Sequence, residues 1–330
     1  MDSMRSASWV SLDVGSVQAL LAEVLPQARV TALQELRDGY CNTNYKVCVE
    51  GPVDALVLRV FTMGQRSPRR QLALMQRVCG QVPVPRVLHF AESHALLSFP
   101  YAFMSFLEGR HLHRILPGQA EAGQRGVGLA VGRALAAIGE TEFESTGLFD
   151  ETLQMPRAFA SVGELWQTII GNALFHGRVG RRLGEEGARR LWSVVETNKP
   201  LLDALPQSRR LVHADYNSKN ILVCERDGAW EVSGVLDWEC AYAGSPLADI
   251  ANLFNYMGNP PPAFERGVLD GFVEAGGDLP AEWRRVTRLL DLISIIEFLN
   301  QPGERPQQFE EAKRQLSHSM RMLEQALPGS

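Results

Sequence analysis

The chain has 330 residues, 45% of them hydrophobic, enough for one large or two ordinary domains with a sizeable core. With 33 Lys and Arg against 38 Asp and Glu, the formal charge is −5, so nucleic acid is not an expected partner, because nucleic-acid binders carry a basic excess or stripe. Five cysteines (Cys41, Cys48, Cys79, Cys224, Cys240) form no CxxC pair and read as reduced thiols, neither a disulfide framework nor a zinc site.

Met1–Gly15 lacks the continuous apolar core of a signal peptide and no apolar run reaches membrane-spanning length, so the expected protein is soluble, cytoplasmic and not a membrane partner. Residues 13–25 carry apolar side chains at helical spacing behind Asp13, a candidate cap, with Pro26 beyond. Residues 30–36, 44–50 and 55–61 read as three strands, the first two separated by a loop with one glycine, Gly39. Gly permits close backbone approach to phosphate, but this loop alone reads better as an ordinary hairpin. Arg59 stands in an apolar strand and, taken by itself, faces solvent. A helix over 68–78, a proline-stiffened approach at 82–90, and two further strands within 94–109 with a turn near Pro100 complete a five-stranded antiparallel sheet with one helix.

From Gly118 the pattern turns helical: residues 120–140 have three- and four-residue apolar spacing, and their many small residues permit close helix packing. Residues 140–151 read as an acidic loop, either a solvated connection or part of a pocket for a cationic substrate, followed by two amphipathic helices, and helices over 285–300 and 309–327 close the chain. His111 and His113 form no metal motif.

The informative stretch is LVHADYNSKNILV, 211–223, with VLDW, 235–238, one hairpin later. It sets His213, Asp215 and Asn220 on a loop between apolar runs and Asp237 at the end of a third, a pattern hard to explain as packing. Asp and Asn also favour turns, but phosphoryl transfer needs a base for the attacking hydroxyl and hard oxygen ligands for a metal. Asp215 is the candidate base, Asn220 and Asp237 the candidate Mg²⁺ ligands, and His213 a brace for the loop.

His-x-Asp-x-x-x-x-Asn resembles the protein-kinase catalytic loop, but Ala214 follows the His and Trp238-Glu239 follow the second Asp, pointing away from eukaryotic-type protein kinases. HADYNSKNILV followed by GVLDWECAYAGSPLADIANLF resembles instead the aminoglycoside phosphotransferase and choline kinase group of small-molecule kinases. The resemblance implies an α+β, two-lobed protein-kinase-like fold: a small N-terminal antiparallel-sheet lobe, 1–104, that binds nucleotide, and a larger, mainly helical C-terminal lobe, 105–330, for catalysis and substrate. It implies ATP and Mg²⁺ as cofactors and a hydroxyl of a small molecule as acceptor. Gly39 and Asn42 then match the nucleotide loop, Arg59 the residue on the α and β phosphates, and Ser105, Phe106 and Leu107 the backbone that reads adenine. Gln71 stands where the family supplies an acidic partner for Arg59, so that Arg is expected to be held less firmly. Asp249, by sequence a helix cap, matches the Asp that orients the catalytic loop. Glu239 is either a contact for a cationic acceptor or a solvated charge. Relatives phosphorylate aminoglycosides, choline, homoserine, methylthioribose and macrolides, and fold does not choose among them. A nucleotide-binding module with little or no transfer activity is the alternative, motivated by Gln71 and the single glycine.

Overall fold

The computed structural model describes residues 9–37, 42–62, 67–206, 208–303 and 305–325. They form two compact units: 1–109 with 151–153 and 233–239, and the remaining 110–150, 154–232 and 240–330. The first unit extends beyond residue 104 because Ser105 still pairs with Leu56 in its sheet, and it takes in Asp237 from far along the chain.

The first unit opens with α1 (Val14–Ala22), whose N-cap Asp13 accepts the Ser16 amide at 2.7 Å. The strands β1 (Arg29–Glu35), β2 (Thr43–Glu50), β3 (Ala55–Val60), β4 (Val87–Ala91) and β5 (Tyr101–Ser105) form one antiparallel sheet in the order β1-β2-β3-β5-β4. The alternation of β2 and β3 turns Tyr45, Val47, Leu56, Leu58 and Val60 toward Val17, Leu20 and Leu21 of α1, and Arg59 to the other face. Each such fully buried aliphatic side chain contributes about 1.5–3 kcal/mol. The helix α2 (Pro68–Val78) starts where Ser67 caps and Pro68 occupies the first turn. Of the two strands expected within 94–109, only β5 forms. His94 and Leu97 instead bond each other's backbones across a tight turn, because the Ser98-Phe99-Pro100 segment that follows offers no continuous ladder donor.

In the second unit, β6 (Arg110–His111) leads into α3 (Leu112–Ile115), then α4 (Glu121–Gly139). The short strands β7 (Thr146–Gly147) and β8 (Ala158–Phe159) precede α5 (Val162–Gly171), a π-helical turn (Asn172–His176) and α6 (Val179–Asp203). Next come β9 (Arg210–Val212), β10 (Ile221–Arg226), β11 (Ala229–Val235), which runs on into the first unit at Ser233, and β12 (Tyr242–Gly244). The strands β10 and β11 are joined by Asp227 and Gly228, both at positive φ (51° and 77°), the conformation of a two-residue hairpin turn. The chain ends with α7 (Leu247–Met257), α8 (Pro262–Glu274), α9 (Trp283–Asn300) and α10 (Pro306–Gln325).

The small residues of α4 meet a matching set on α8. A Cβ on Gly128 or Gly132 would run into the carbonyls of Phe264 or Val268, and one on Gly267 or Gly271 into those of Arg125 or Leu129. The two helices therefore lie backbone to backbone along a seam that only glycine permits. No helix among the described residues is long and apolar enough to cross a membrane.

Candidate active site

Residues 213–220 leave β9 and enter β10, two strands anchored on different sheets: β9 pairs with β12 (Val212 opposite Tyr242), and β10 with β6 (Leu222 opposite His111). The loop between them is internally hydrogen-bonded. Asn217 Nδ2 donates to Asp215 Oδ1 at 2.7 Å and Asn220 Nδ2 to Asp215 Oδ2 at 2.7 Å, so each carboxylate oxygen is held by a different asparagine. Both amides also reach the Asp215 carbonyl, and the Asp215 amide donates to His213 Nδ1 at 3.2 Å. His213 is fully buried against Tyr216, whose hydroxyl donates to the Val131 carbonyl of α4 at 2.9 Å.

Asp249 lies in the first turn of α7 and is buried. Its Oδ2 accepts the His213 amide and its Oδ1 the Ala214 amide, both at 2.8 Å. Its side chain thus serves the loop and not its own helix, whose N-cap is Pro246. Burial pushes its carboxyl up to about 7, partly offset by the two amide bonds and reinforced by the charge of Asp215. Ala214 adopts φ 64°, a left-handed conformation unusual for a residue with a side chain.

In the first unit, Arg59 Nη2 and Asp237 Oδ1 form an ion pair at 2.6 Å, the Arg side chain 11% exposed. Arg59 is therefore held, by Asp237 and not by the helix position where Gln71 sits buried. Asp237 also has positive φ (69°), and the next residue, Trp238, is fully buried with its indole donating to Val235 O. Arg70 of α2 donates to the carbonyl of Glu239 at 2.9 Å, fixing the backbone of that residue. Ser105 is committed: its amide donates to Arg86 O and its hydroxyl accepts the Arg86 amide. Phe106 and Leu107 follow β5 half-buried, with Lys46 over the Phe106 ring at 3.9 Å. Asn42 is buried at the start of β2, while Gly39 lies outside the described residues.

Because Asn220 spends its Nδ2 on Asp215, its side-chain oxygen is the donor left to a cation. Mg²⁺ typically takes one or two protein oxygens and completes its shell with phosphate and water, and an amide oxygen such as that of Asn220 in the second unit and a carboxylate such as that of Asp237 in the first are each donors of that chemical type. Among the described residues no group of three His, Cys, Asp or Glu side chains is gathered for a metal.

A family profile described as "Phosphotransferase enzyme family" matches residues 32–289, most of the chain. The chain belongs to this phosphotransferase family. Crystal structures of the aminoglycoside phosphotransferase APH(4)-Ia share the fold: its ternary complex with ADP and hygromycin B covers 96% of this chain and 100% of that chain at a TM-score of 0.69 and 19% identity. A putative fructosamine-3-kinase from Thermobifida fusca covers 95% of this chain and 100% of its own at a TM-score of 0.68 and 18% identity. These likenesses establish the antiparallel-sheet and helical units as the phosphotransferase, kinase-like fold. In sequence, the chain is 25% identical over 203 residues to mouse acyl-CoA dehydrogenase family member 10 and 24% identical over 202 residues to the probable acyl-CoA dehydrogenase IBR3 of Arabidopsis thaliana. In each case 59% of the chain is aligned, against 18% and 23% of the relative's length.

Three residues that bond within or onto this loop carry no signal in the sequence. Asn217, absent from the candidate residues, donates to one Asp215 oxygen as Asn220 does to the other. His111 and His113, tested only as metal ligands, contact the loop: His111 Nδ1 lies 2.6 Å from Lys219 O and His113 Nδ1 3.3 Å from Ser218 O. Their distance in sequence from the loop hides this contact.

Proposed function

We propose that this chain transfers the γ-phosphoryl group of ATP to a hydroxyl group of a small molecule. The observation that carries the reading is Asp215: both its oxygens are oriented by asparagine amides, in a loop anchored by a buried carboxylate. A carboxylate fixed in this way can accept a hydroxyl proton without first reorganising. Asn220 and Asp237 are the magnesium ligands, Arg59 neutralises phosphate charge, and His213 and Asp249 brace the loop. Asn42, with Gly39, supports the nucleotide loop, and the 105–107 segment reads the base. Bound Mg²⁺ supplies charge neutralisation for the phosphoryl group in flight. Glu239 is assigned to the acceptor, its backbone held by Arg70.

The test is ATP consumption with a panel of hydroxyl acceptors: amino sugars, amino alcohols and, because the curated relatives are named as acyl-CoA dehydrogenases, hydroxyacyl thioesters. A product heavier by one phosphate, absent with Asp215→Ala, supports phosphoryl transfer. Product heavier by AMP overturns it in favour of nucleotidyl transfer, and ATP binding with no acceptor-stimulated turnover leaves a binding module.

A further inference from the structure

The two histidines beside the loop do more than fill space. A carbonyl oxygen only accepts hydrogen bonds, so the 2.6 Å contact from His111 Nδ1 to Lys219 O requires the proton on Nδ1. The same holds for His113, whose Nδ1 faces Ser218 O at 3.3 Å while its own amide donates to that oxygen at 3.0 Å. The two rings lie 5.5 Å apart and grip consecutive peptide groups. The gripped residues are Ser218 and Lys219, and the residues directly before and after them, Asn217 and Asn220, are the two that hold the oxygens of Asp215. The Asn220 amide also donates to Asn217 O at 3.0 Å, closing these four residues into one turn. Moving the 218–219 peptides would therefore shift both asparagines together. The backbone that follows is fixed as well, by β6 pairing with β10 at Leu222 and Val223.

We propose that His111 and His113 are positioning residues for phosphoryl transfer, two imidazole donors clamped on the Ser218 and Lys219 carbonyls that set Asn217 and Asn220 against Asp215. The inference rests on the function proposed above. It separates these histidines from ordinary packing, because the requirement is for a donor at the Nδ1 position and not for a ring. Phe keeps the ring and loses the donor; Asn loses the ring but places its Nδ2 where Nδ1 stood.

The experiment compares wild type with His111→Phe, His113→Phe and the two Asn substitutions in the full chain, measuring kcat, KM for ATP, the Mg²⁺ concentration at half-maximal rate, Tm and amide hydrogen exchange over 213–222. Losing a support one shell away from a ligand typically costs about tenfold or more, so the Phe variants should lose kcat and need more Mg²⁺ by about that factor, with KM for ATP nearly unchanged and exchange over 213–222 faster. The Asn variants should recover most of this even where their Tm is lower. Phe variants with wild-type kcat, Mg²⁺ requirement and exchange overturn the clamp, as does an Asn variant no better than Phe. A wild-type protein inactive on every acceptor overturns the proposed function, an outcome read without any histidine variant.

Discussion

Asp249 Oδ1 holds the amide of Ala214 at 2.8 Å, and Ala214 is in a left-handed backbone conformation, φ 64°. The bond secures a backbone geometry that disfavours a Cβ by about 1–2 kcal/mol. Ala214→Gly should therefore raise the unfolding free energy by about 1 kcal/mol, after the added flexibility of glycine in the unfolded chain is counted. Urea denaturation checks this, with kcat expected to stay within a factor of two or so of wild type. Ala214→Val should lose both stability and activity.

Acidity should act on Asp249 in two opposing ways. Its carboxyl lies at about 7 when folded, against an ordinary value of 3.8. Between these values the folded state binds a proton that the unfolded chain does not, so this group's contribution to stability is largest below pH 4 and falls as pH rises toward 7. The grip on the loop, however, needs an ionised carboxylate to accept two amides. Relative to Asp249→Asn, wild-type stability in urea should fall from pH 4.5 to 7 or so, while wild-type activity rises over that range. A flat stability difference would refute the assignment.

Asp215→Asn keeps an oxygen acceptor for one asparagine and removes the proposed base. It should cut kcat by about 10²–10⁴-fold while ATP binding, followed by calorimetry, stays near wild type.

Arg59 is paired with Asp237 at 2.6 Å, so under the proposed function removing it would take one charge from the phosphates and weaken the hold on the carboxylate. Arg59→Ala should raise KM for ATP by about tenfold or more, and Arg59→Lys should restore part of it, since an ammonium keeps the charge but not the planar fork. Steady-state kinetics at saturating acceptor decides.

Much of this was legible in the sequence, for identifiable reasons. The helix at 68–78 and strands β1 to β3 fall within a residue of where the sequence puts them. The small residues of 120–140 foretold a close helix contact, though not that α8 would supply the matching glycines, because contact partners distant in sequence leave no periodicity. Asp249 read as a cap because its place in the first turn is a local signal, whereas its hydrogen bonds run to residues 35 and 36 positions earlier. Arg59 meeting Asp237, 178 positions later, was invisible for the same reason. The strand expected near 95 failed where the turn at His94 and Leu97 outweighed apolar content.

The glycine seam has a consequence for how this enzyme can vary. Tyr216, one residue past the candidate base, hangs from the carbonyl of Val131, which lies between Gly128 and Gly132 on the α4 side of that seam. The candidate base therefore takes its bearings from two peptide backbones in direct contact, a reference that side-chain drift elsewhere in the helices cannot retune. Acceptor preference is left to diverge through the surrounding loops and helix ends while the chemistry keeps a fixed origin.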